Sequence, residues 1–322
     1  MVNSATHTNA GREQNTLKIW QQNVNKSSAC QHDLISSARL AREGIDIVAL
    51  QEPYIGNIFG NTVTARDWNV IFPSTHGLES SKTRSIILIR SNIITDHWSQ
   101  IEVNSRDISA VMLKGNWGTT AIFNAYIDCT HDIALEEMAR STKGYEESQG
   151  EAHRQQTHTL WLGDFNRHHP HWDNPTDTRL FTNEAIKSAE KLISLVADAG
   201  LELALPPQMT THKHNVTKKW SRLDQVFLSE HTMDSLVSCY ANRREPGVNT
   251  DHLPILTMLN MAVMHTPVKM VANFRNVDWD KFRGELRSQL ASLGLPRPIR
   301  SQTSLDTKCD KLTKAMQDTI CH

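Results

Sequence analysis

Short apolar runs bounded by polar residues recur along most of the chain, and they predict β-strands. The runs are 17–24, 46–50, 68–72, 85–90, 93–103, 108–114, 119–126, 159–162, 223–228, 236–240 and 254–259. Those between 68 and 126 are joined by short turns, which predicts an antiparallel meander in this part of the chain.

Helical spacing of apolar residues appears in fewer places. Residues 29–43 precede Gly44, a plausible C-terminal stop, and residues 132–157 read as a helix with a frayed end. The best amphipathic pattern is 182–197, with Thr182 or Asn183 as its N-cap. It places four apolar residues on one face, namely Ile186, Ala189, Ile193 and Val196.

Many strands with a few helices predict an α/β (α+β) fold. The specific expectation is a four-layer sandwich of two mainly antiparallel β-sheets flanked by helices, with a helical C-terminal appendage. Residues 1–16 are polar and predict a disordered leader, and 17–262 form the main domain. Residues 263–322 are predicted to be a linker and helical tail, because the composition changes after about residue 265.

The bulk composition excludes some classes of protein. The net charge is −1 and the pI about 7.0, whereas a dedicated DNA coat or transcription factor is usually basic. With a mean hydropathy of −0.46 and no long apolar run, no membrane contact is predicted. The polar first 16 residues predict no secretory signal. Five widely spaced cysteines without a CxxC pair argue against a structural zinc site and favour a reducing compartment.

Four carboxylates stand at the ends of predicted strands or within them. Glu52 follows 46–50, Asp164 follows 159–162, Asp224 interrupts 223–228, and Asp251 precedes 254–259. If these strands are neighbours, the carboxylates gather at one rim and repel one another unless a cation lies between them. Oxygen ligands without cysteine suit Mg²⁺, with Mn²⁺ as a possible substitute.

Each of these residues also has a plainer interpretation. A lone Asp after a strand is usually a turn residue or a helix N-cap. Asp224 is harder to explain in this way, because a charge inside an apolar strand needs a partner, and His252 is the natural candidate.

The His-rich and basic segments also leave alternatives open. Residues 212–222 are either a solvated hairpin loop or an arm that contacts phosphate. His168, His169 and His171 would suit zinc by residue type. They lie in a Pro-containing loop without a thiolate, so surface or loop-packing roles are favoured.

Six motifs occur in a recognisable order. They are Gln22-Asn23, Gln51-Glu52-Pro53, Asn124-Ala125-Tyr126, Gly163-Asp164-Phe165-Asn166, Ser221-Arg222-Leu223-Asp224 and Thr250-Asp251-His252. Each is weak alone, but the ordered set resembles the DNase I-like endonuclease/exonuclease/phosphatase superfamily.

Further segments resemble one branch of that superfamily, the apurinic-like endonucleases of non-LTR (LINE-type) retrotransposons. They are residues 22–27, 163–172 and 249–255, together with the separation of Thr211 from Asp224. The segment 277–282 is similar to the linker that leads from this endonuclease into a reverse transcriptase domain. The resemblance therefore implies a DNA partner and a downstream reverse transcriptase.

The resemblance also implies roles for matching residues. Glu52 would bind the metal, with Asn23 and Asp251 nearby. Asp164 would orient or deprotonate the attacking water, and Asn166 would hold that water and the phosphate.

Further roles concern the phosphate and the DNA. His252, oriented by Asp224, would donate to a phosphoryl oxygen, and Tyr126 would contact the phosphate or the leaving oxygen. Thr211 and Ser221 would line the DNA-facing surface, and Arg222 is predicted to bind substrate with them. Asn25 stands where repair members of the superfamily often have Asp. This departure argues against a second metal held by a carboxylate, although the retrotransposon branch tolerates such a change, so one or two metals stay open.

The resemblance implies a Mg²⁺-dependent endonuclease that nicks target DNA and leaves a 3′-hydroxyl primer for reverse transcription, working in the nucleus. Two alternatives stay open. One is a phosphatase or phosphodiesterase of the same superfamily that acts on inositol phosphates or lipids. The other is a decayed copy that binds nucleic acid without cleaving it.

Overall fold

The computed structural model describes residues 16–36, 38–149, 157–244, 247–265, 278–294 and 298–320. The chain folds into two compact units, Met1–Pro267 and Val268–His322. The strands are β1 (Leu17–Asn23), β2 (Ile47–Gln51), β3 (Trp68–Ile71), β4 (Ser85–Arg90), β5 (Trp98–Ile101), β6 (Ile108–Gly115), β7 (Gly118–Tyr126), β8 (Thr157–Asp164), β9 (Leu201–Leu203), β10 (His212–Lys213), β11 (Trp220–Ser221), β12 (Asp224–Ser229), β13 (Leu236–Ala241) and β14 (Ile255–Leu259).

The helices lie between these strands and at the C-terminal end. They are α1 (Ser28–Ser36), α2 (Arg39–Glu43), α3 (Ile133–Ser148), α4 (Asn183–Asp198), α5 (Glu230–Asp234), α6 (Trp279–Ser292) and α7 (Gln302–Ile320), with 3₁₀ turns at Ser80–Lys82, Thr95–His97 and Thr178–Leu180. Of the described helices, none has the length and apolar character needed to cross a bilayer.

The first unit contains two six-stranded sheets and one small hairpin. The first sheet has the order β13-β14-β1-β2-β4-β3, the second has the order β5-β6-β7-β8-β12-β9, and β10 pairs with β11. In the first sheet β1 and β2 are parallel and the other neighbours are antiparallel. In the second sheet β7 and β8 are parallel and the other neighbours are antiparallel. This arrangement matches the predicted pair of mainly antiparallel sheets.

The pleat of the strands separates three apolar layers. Alternate side chains of β8 point to opposite faces, so that Leu160 and Leu162 pack between the two sheets while Trp161 packs outward against α3 and α4. On the far side of the first sheet, Trp20 and Val48 pack against α1 and α2. The predicted four-layer sandwich is therefore confirmed.

The N-terminal cap of one helix was predicted correctly, whereas another predicted helix is interrupted. The Thr182 side chain accepts a hydrogen bond from the backbone N–H of Ala185 and caps α4, as predicted. The helix predicted over 29–43 is instead two helices, α1 and α2. Gly44 ends α2 in the left-handed conformation.

The antiparallel meander predicted over 68–126 is wrong. Strand β4 pairs with β2 and β3 in the first sheet, whereas β5, β6 and β7 form consecutive hairpins in the second sheet. The run 93–103 is also shorter than predicted, because a 3₁₀ turn occupies Thr95–His97 before β5 begins. The chain thus changes sheets between β4 and β5.

A polar layer joins the two sheets at one end. Asn124 on β7 donates its side-chain N–H groups to the carbonyls of Leu50 and Ile86, at 3.0 and 2.9 Å, in the opposite sheet. Gln21 on β1 donates to the carbonyl of Gly163 on β8, at 2.9 Å. Because buried amides need partners, these bonds fix how the strand ends of the two sheets face each other.

The second unit contains α6 and α7, which contact each other. Asp278 caps α6, and its side chain accepts hydrogen bonds from the backbone N–H groups of Asp280 and Lys281. These helices confirm the predicted helical C-terminal appendage. Most of the predicted leader and the linker segment 266–277 lie outside the described residues.

Candidate active site

The predicted carboxylates meet because strands from both sheets end at one rim. Asn23 is the last residue of β1, Glu52 follows β2, and Asp164 is the last residue of β8. Asp224 begins β12 and lies directly opposite Asp164 in the antiparallel pair, while Tyr126 lies opposite Asp164 on the parallel strand β7. The sequence suggested that Asp224 interrupts a strand. In the structure Asp224 is instead the first residue of its strand.

Asp164 is buried at the centre of this rim, with 2% of its surface exposed. Its Oδ2 accepts a hydrogen bond from the Asn23 side chain at 2.9 Å, and its Oδ1 accepts from the backbone N–H of Asn166 at 3.1 Å. Burial, together with the charge of Asp224, raises the pKa of Asp164 to about 6, against the lowering effect of His252. A carboxylate with such a pKa can accept a proton near neutral pH.

His252 and Asp224 form a buried hydrogen-bonded pair. The Nδ1 of His252 lies 2.9 Å from Oδ2 of Asp224, and its Nε2 lies 3.9 Å from Oδ2 of Asp164. Burial alone would lower the pKa of His252. The charge and hydrogen bond of Asp224, with Asp164 and Asp251, outweigh burial and raise that pKa to about 9. His252 is therefore protonated at neutral pH and presents Nε2–H to the rim.

Glu52 and Asn23 lie side by side. The Asn23 side-chain N–H is 3.4 Å from Oε2 of Glu52, and its Oδ1 accepts from the backbone N–H of Asn25 at 2.8 Å. Glu52 and Asn25 have φ values of 45° and 49°, in the left-handed region that non-glycine residues rarely adopt. Such conformations persist where the surroundings enforce them, and they cluster at functional sites.

Asn166 and Tyr126 flank Asp164. Asn166 also has a left-handed backbone, with φ 50°, and its side chain donates to the carbonyl of Ile127 at 3.0 Å. The guanidinium of Arg84 lies 4.7 Å from the centre of the Tyr126 ring. Burial and the nearby charge of Glu52 raise the pKa of Tyr126, so its hydroxyl keeps its proton and can donate a hydrogen bond.

Asp251 joins the rim through its neighbours. The Thr250 hydroxyl donates to the backbone carbonyl of Asn23 at 2.8 Å. Oδ2 of Asp251 lies 3.4 Å from Nε2 of His212 and accepts from the Asn215 side chain at 2.9 Å. The hydrogen bond with His212 lowers the pKa of Asp251, so this carboxylate is ionised at neutral pH.

The three residues predicted to bind substrate are all buried, and their contact with DNA stays a prediction. Thr211 is fully buried, and its hydroxyl accepts from the backbone N–H groups of Leu223 and Asp224 at 3.3 and 3.2 Å. Arg222 is fully buried, and its guanidinium donates to the carbonyl of Leu205 at 2.9 Å. Ser221 is buried beside the His212 ring. Thr211 therefore positions Asp224, and the other two support the loops around it.

One further contributor to the rim, Arg84, was missed by the sequence reasoning. Arg84 bonds to both oxygens of Asp107, at 2.6 and 2.8 Å, and to Asp128 at 2.7 Å. Its backbone carbonyl accepts from the N–H of Glu52 at 2.9 Å, so it links the Tyr126 and Glu52 sides of the rim. An Arg directly before the buried strand β4 was the available signal.

The residues at the rim fit a divalent cation bound by oxygen. Asp164 and Asp224 are both buried like charges, and Oδ1 of Asp224 has no hydrogen-bond partner among the described residues. Among the described residues, two groups of three side chains place potential ligand atoms within 4.8 Å of one another, and both include the ring nitrogen of His252. They are Asp164 with Asp224 and His252, and His212 with Asp251 and His252. Of the predicted ligands, Asn23 and Glu52 have side chains in contact. Asp251 is next in sequence to Thr250, whose hydroxyl donates a hydrogen bond to the Asn23 carbonyl.

A hairpin formed by β10 and β11 borders this rim. A cavity of about 170 Å³ lies between the hairpin and the rim. It is lined by Lys213, Asn215, Lys218, Trp220, Thr250, Asp251, His252 and Leu253. Segment 212–222 is thus a hairpin whose basic side chains share a cavity with His252. His168 bonds to Asp173, and His169 packs against His171, which agrees with the loop-packing interpretation.

Solved structures share this fold. The endonuclease domain of TRAS1, a telomere-specific non-LTR retrotransposon, aligns over 76% of this chain and 98% of its own, with 16% identity and a TM-score of 0.58. An AP endonuclease from Archaeoglobus fulgidus aligns over 76% and 99%, with 18% identity and a TM-score of 0.50. The APE2 catalytic domain from Xenopus laevis aligns over 78% and 94%, with 15% identity and a TM-score of 0.55.

A family model described as endonuclease-reverse transcriptase matches residues 120–256. The chain therefore has the DNase I-like fold of these solved structures, and less than half of its length matches the family model. Both findings agree with the resemblance drawn from the six ordered motifs. No protein among the curated sequences matches the chain.

The matched segment carries much of the rim. It runs from β7 through β8 and β12 to the start of β14, and it includes Tyr126, Asp164, Asp224 and His252. Asn23 and Glu52 lie outside it. They reach the rim because the first sheet packs face to face on the second and the polar layer aligns their strand ends.

Proposed function

We propose that this chain is a divalent-metal-dependent phosphodiesterase that nicks DNA. The observation that carries the proposal is the buried group in which Asp164 bonds to Asn23 while His252, held by Asp224, faces the same carboxylate. Hydrolysis of a phosphodiester needs an oriented water and donors for the charge that develops on the phosphoryl oxygens. This rim offers groups of both kinds.

In the proposed mechanism, Asp164 accepts the proton of the attacking water, since its raised pKa suits a general base near neutral pH. Asn23 and the Asn166 backbone hold its two oxygens, so the carboxylate keeps one orientation. The Asn166 side chain donates to the carbonyl of Ile127, which holds Asn166 beside Asp164.

His252 donates Nε2–H to a non-bridging phosphoryl oxygen, and Asp224 fixes its tautomer through Nδ1. Tyr126 donates its hydroxyl to the phosphate or to the leaving oxygen. A Mg²⁺ ion bound near Glu52, Asn23 and Asp251 would supply Lewis-acid stabilisation of the phosphoryl charge. Mn²⁺, with similar oxygen preference, would substitute for it.

DNA is the proposed substrate, and a 3′-hydroxyl that primes reverse transcription is the proposed product. Support comes from the retrotransposon endonuclease domain and from a 3′ phosphatase from Neisseria bound to a product DNA hairpin, which is 16% identical with a TM-score of 0.54. The family description, endonuclease-reverse transcriptase, supports a reverse transcriptase partner. A nuclear site of action follows from this proposal, because that is where target DNA would be met.

The test is nicking of a supercoiled plasmid by the full chain. The wild type should give relaxed circles with Mg²⁺ or Mn²⁺, and no relaxation after chelation by EDTA. Asp164→Ala should be inactive, whereas Asp198→Asn, which removes an exposed carboxylate at the end of α4, should be as active as the wild type. Folded wild type that relaxes no plasmid with either ion would refute the proposal. Release of phosphate from small esters without nicking would point to the phosphatase alternative, and metal-independent DNA binding without cleavage to a decayed copy.

A further inference from the structure

Two histidines present the same ring nitrogen to one carboxylate at the edge of the cavity. Nε2 of His212 lies 3.4 Å from Oδ2 of Asp251, and Nε2 of His252 lies 3.9 Å from Oδ1 of the same residue. The two ring centres are 4.8 Å apart. One potential ligand atom from each of the three residues lies within 4.8 Å of the others.

The backbone holds this group together. His212 and His252 form an isolated β-bridge. The N–H of Lys213 donates to the carbonyl of Asp251 at 2.9 Å, and the N–H of Leu253 donates to the carbonyl of Thr211 at 2.7 Å. The hairpin and the segment before β14 are therefore tied at the position where the three side chains meet.

Each of the two imidazole rings has a hydrogen-bond partner on its other nitrogen, Nδ1. Nδ1 of His212 lies 3.2 Å from the hydroxyl of Ser221, and Nδ1 of His252 lies 2.9 Å from Oδ2 of Asp224. Histidines that bind metal ions almost always have such a partner on the other ring nitrogen, which fixes the tautomer and the ring. With Nδ1 occupied in both rings, Nε2 is the nitrogen free to bind an ion.

The ligand types favour an ion of the zinc class over Mg²⁺. Mg²⁺ prefers oxygen ligands, whereas imidazole nitrogen suits zinc, cobalt and nickel. Two imidazoles and one carboxylate are three protein ligands, and they leave a fourth position that the adjoining cavity can fill with water or phosphate. Asn215 supports the carboxylate, since its side chain donates to Oδ2 of Asp251 at 2.9 Å.

We propose that His212, Asp251 and His252 form a binding site for a zinc-class divalent ion, and that an ion bound there inhibits DNA cleavage. The inhibition rests on the proposed function, because the ion would occupy the Nε2 of His252 that donates to the phosphoryl oxygen. The ion would also take up Asp251, a ligand proposed for Mg²⁺. The binding itself depends only on the geometry of the three side chains.

The test is a titration of the full metal-free chain with Co²⁺ at pH 8, because imidazole binds a metal ion only in its neutral form. The wild type should bind Co²⁺ with the visible absorption of a tetrahedral ion, and Zn²⁺ should displace it. His212→Phe should weaken Co²⁺ binding at least about 100-fold. The matched control is His214→Phe, because His214 is an exposed histidine of the same hairpin outside the three-residue group. It should bind as the wild type does.

A second pair of measurements separates the possible failures. Ser221→Ala removes the partner of the His212 Nδ1 and should weaken Co²⁺ binding about 10-fold. If circular dichroism shows that His212→Phe is misfolded, His212→Gln is used in its place. Co²⁺ binding in either folded His212 variant that equals the wild type would overturn the site, as would wild type that gives no tetrahedral spectrum. In the nicking assay, Zn²⁺ should lower the nicking rate of the wild type and leave the nicking rate of the His212 variant unchanged. A chain that binds Co²⁺ but never nicks DNA would refute the proposed function and leave the site standing.

Discussion

Replacing Asp224 with Asn tests the electrostatic core of the site. Asp224 is 1% exposed, and its Oδ2 lies 2.9 Å from Nδ1 of His252. Its charge and hydrogen bond are the largest of the effects that raise the pKa of His252. Asn keeps the shape of the side chain but removes the negative charge, so the raised pKa should fall towards or below its ordinary value.

The size of the effect follows from the pKa of His252, which rises from 6.5 to about 9. At about 1.4 kcal/mol per pKa unit, this shift corresponds to about 3 kcal/mol of preference for the charged ring. Because the folded pKa is above the unfolded one, this stabilisation is complete below about pH 6.5 and is lost as the pH rises through about 9. In Asp224→Asn, most of that pH-dependent stabilisation should be absent.

The same shift should appear in catalysis. With Asp164 ionising near 6 and His252 near 9, wild-type nicking should rise with pH through about 6 and fall through about 9. Asp224→Asn should move the alkaline limb down by at least about one pH unit and lower the maximal rate. Single-turnover nicking rates at fixed Mg²⁺ from pH 5 to about 10 measure both limbs, with Asp198→Asn as the control variant. An alkaline limb that stays in place in Asp224→Asn would refute the assignment of the proton donor.

Three further substitutions test the surrounding structure. Gly163→Ala, at φ 149°, would place its Cβ 1.9 Å from the carbonyl oxygen of Ala125, so the free energy of unfolding should fall by more than about 2 kcal/mol; an unchanged thermal midpoint would contradict this. Arg84→Met leaves the buried Asp107 without its guanidinium and should cost about 3 kcal/mol in urea unfolding, whereas wild-type stability would show the pair to be dispensable. Glu52→Gln should raise the Mg²⁺ concentration for half-maximal nicking about 10-fold with the fold intact; an unaltered Mg²⁺ dependence would exclude it as a ligand.

The elements that the sequence predicted well are those with a complete local pattern. The helix at Asn183–Asp198 was placed to within one residue of 182–197, since its apolar face and its Thr182 cap are both local signals. Strand Ser85–Arg90 matched in both bounds. An apolar run between polar ends determines that a strand forms, because its residues need only a buried surface.

Pairing between strands is decided by distant residues, and there the sequence reasoning failed. The run of strands from 68 to 126 divides between two sheets because β4 pairs with β2, which lies earlier in the chain. The burial of Arg222 was equally hidden. Its partners are the carbonyls of Leu205 and Pro206, in a segment that carried no pattern of its own. Without knowledge of these carbonyl partners, an arginine in a basic stretch is predicted to lie on the surface.

For the candidate site, the order of motifs was enough to bring the right residues together but not to give their contacts. Asn23 and Asp164 lie on strands of different sheets, and their hydrogen bond exists only because the sheets pack with aligned ends. The same is true of His212, which reaches Asp251 through pairing of the hairpin with the segment before β14. Sequence spacing contains neither of these arrangements.

The central claim is that the rim around Asp164 hydrolyses DNA to give an extendable 3′ end. The direct measurement is cleavage of an end-labelled duplex by the full chain, followed by extension of the nicked strand with a DNA polymerase. Wild type with Mg²⁺ should produce nicks that are extended without further processing, and Asp164→Ala should produce none. Folded wild type that leaves the duplex intact with both Mg²⁺ and Mn²⁺, or nicks whose 3′ ends are not extended, would contradict the account.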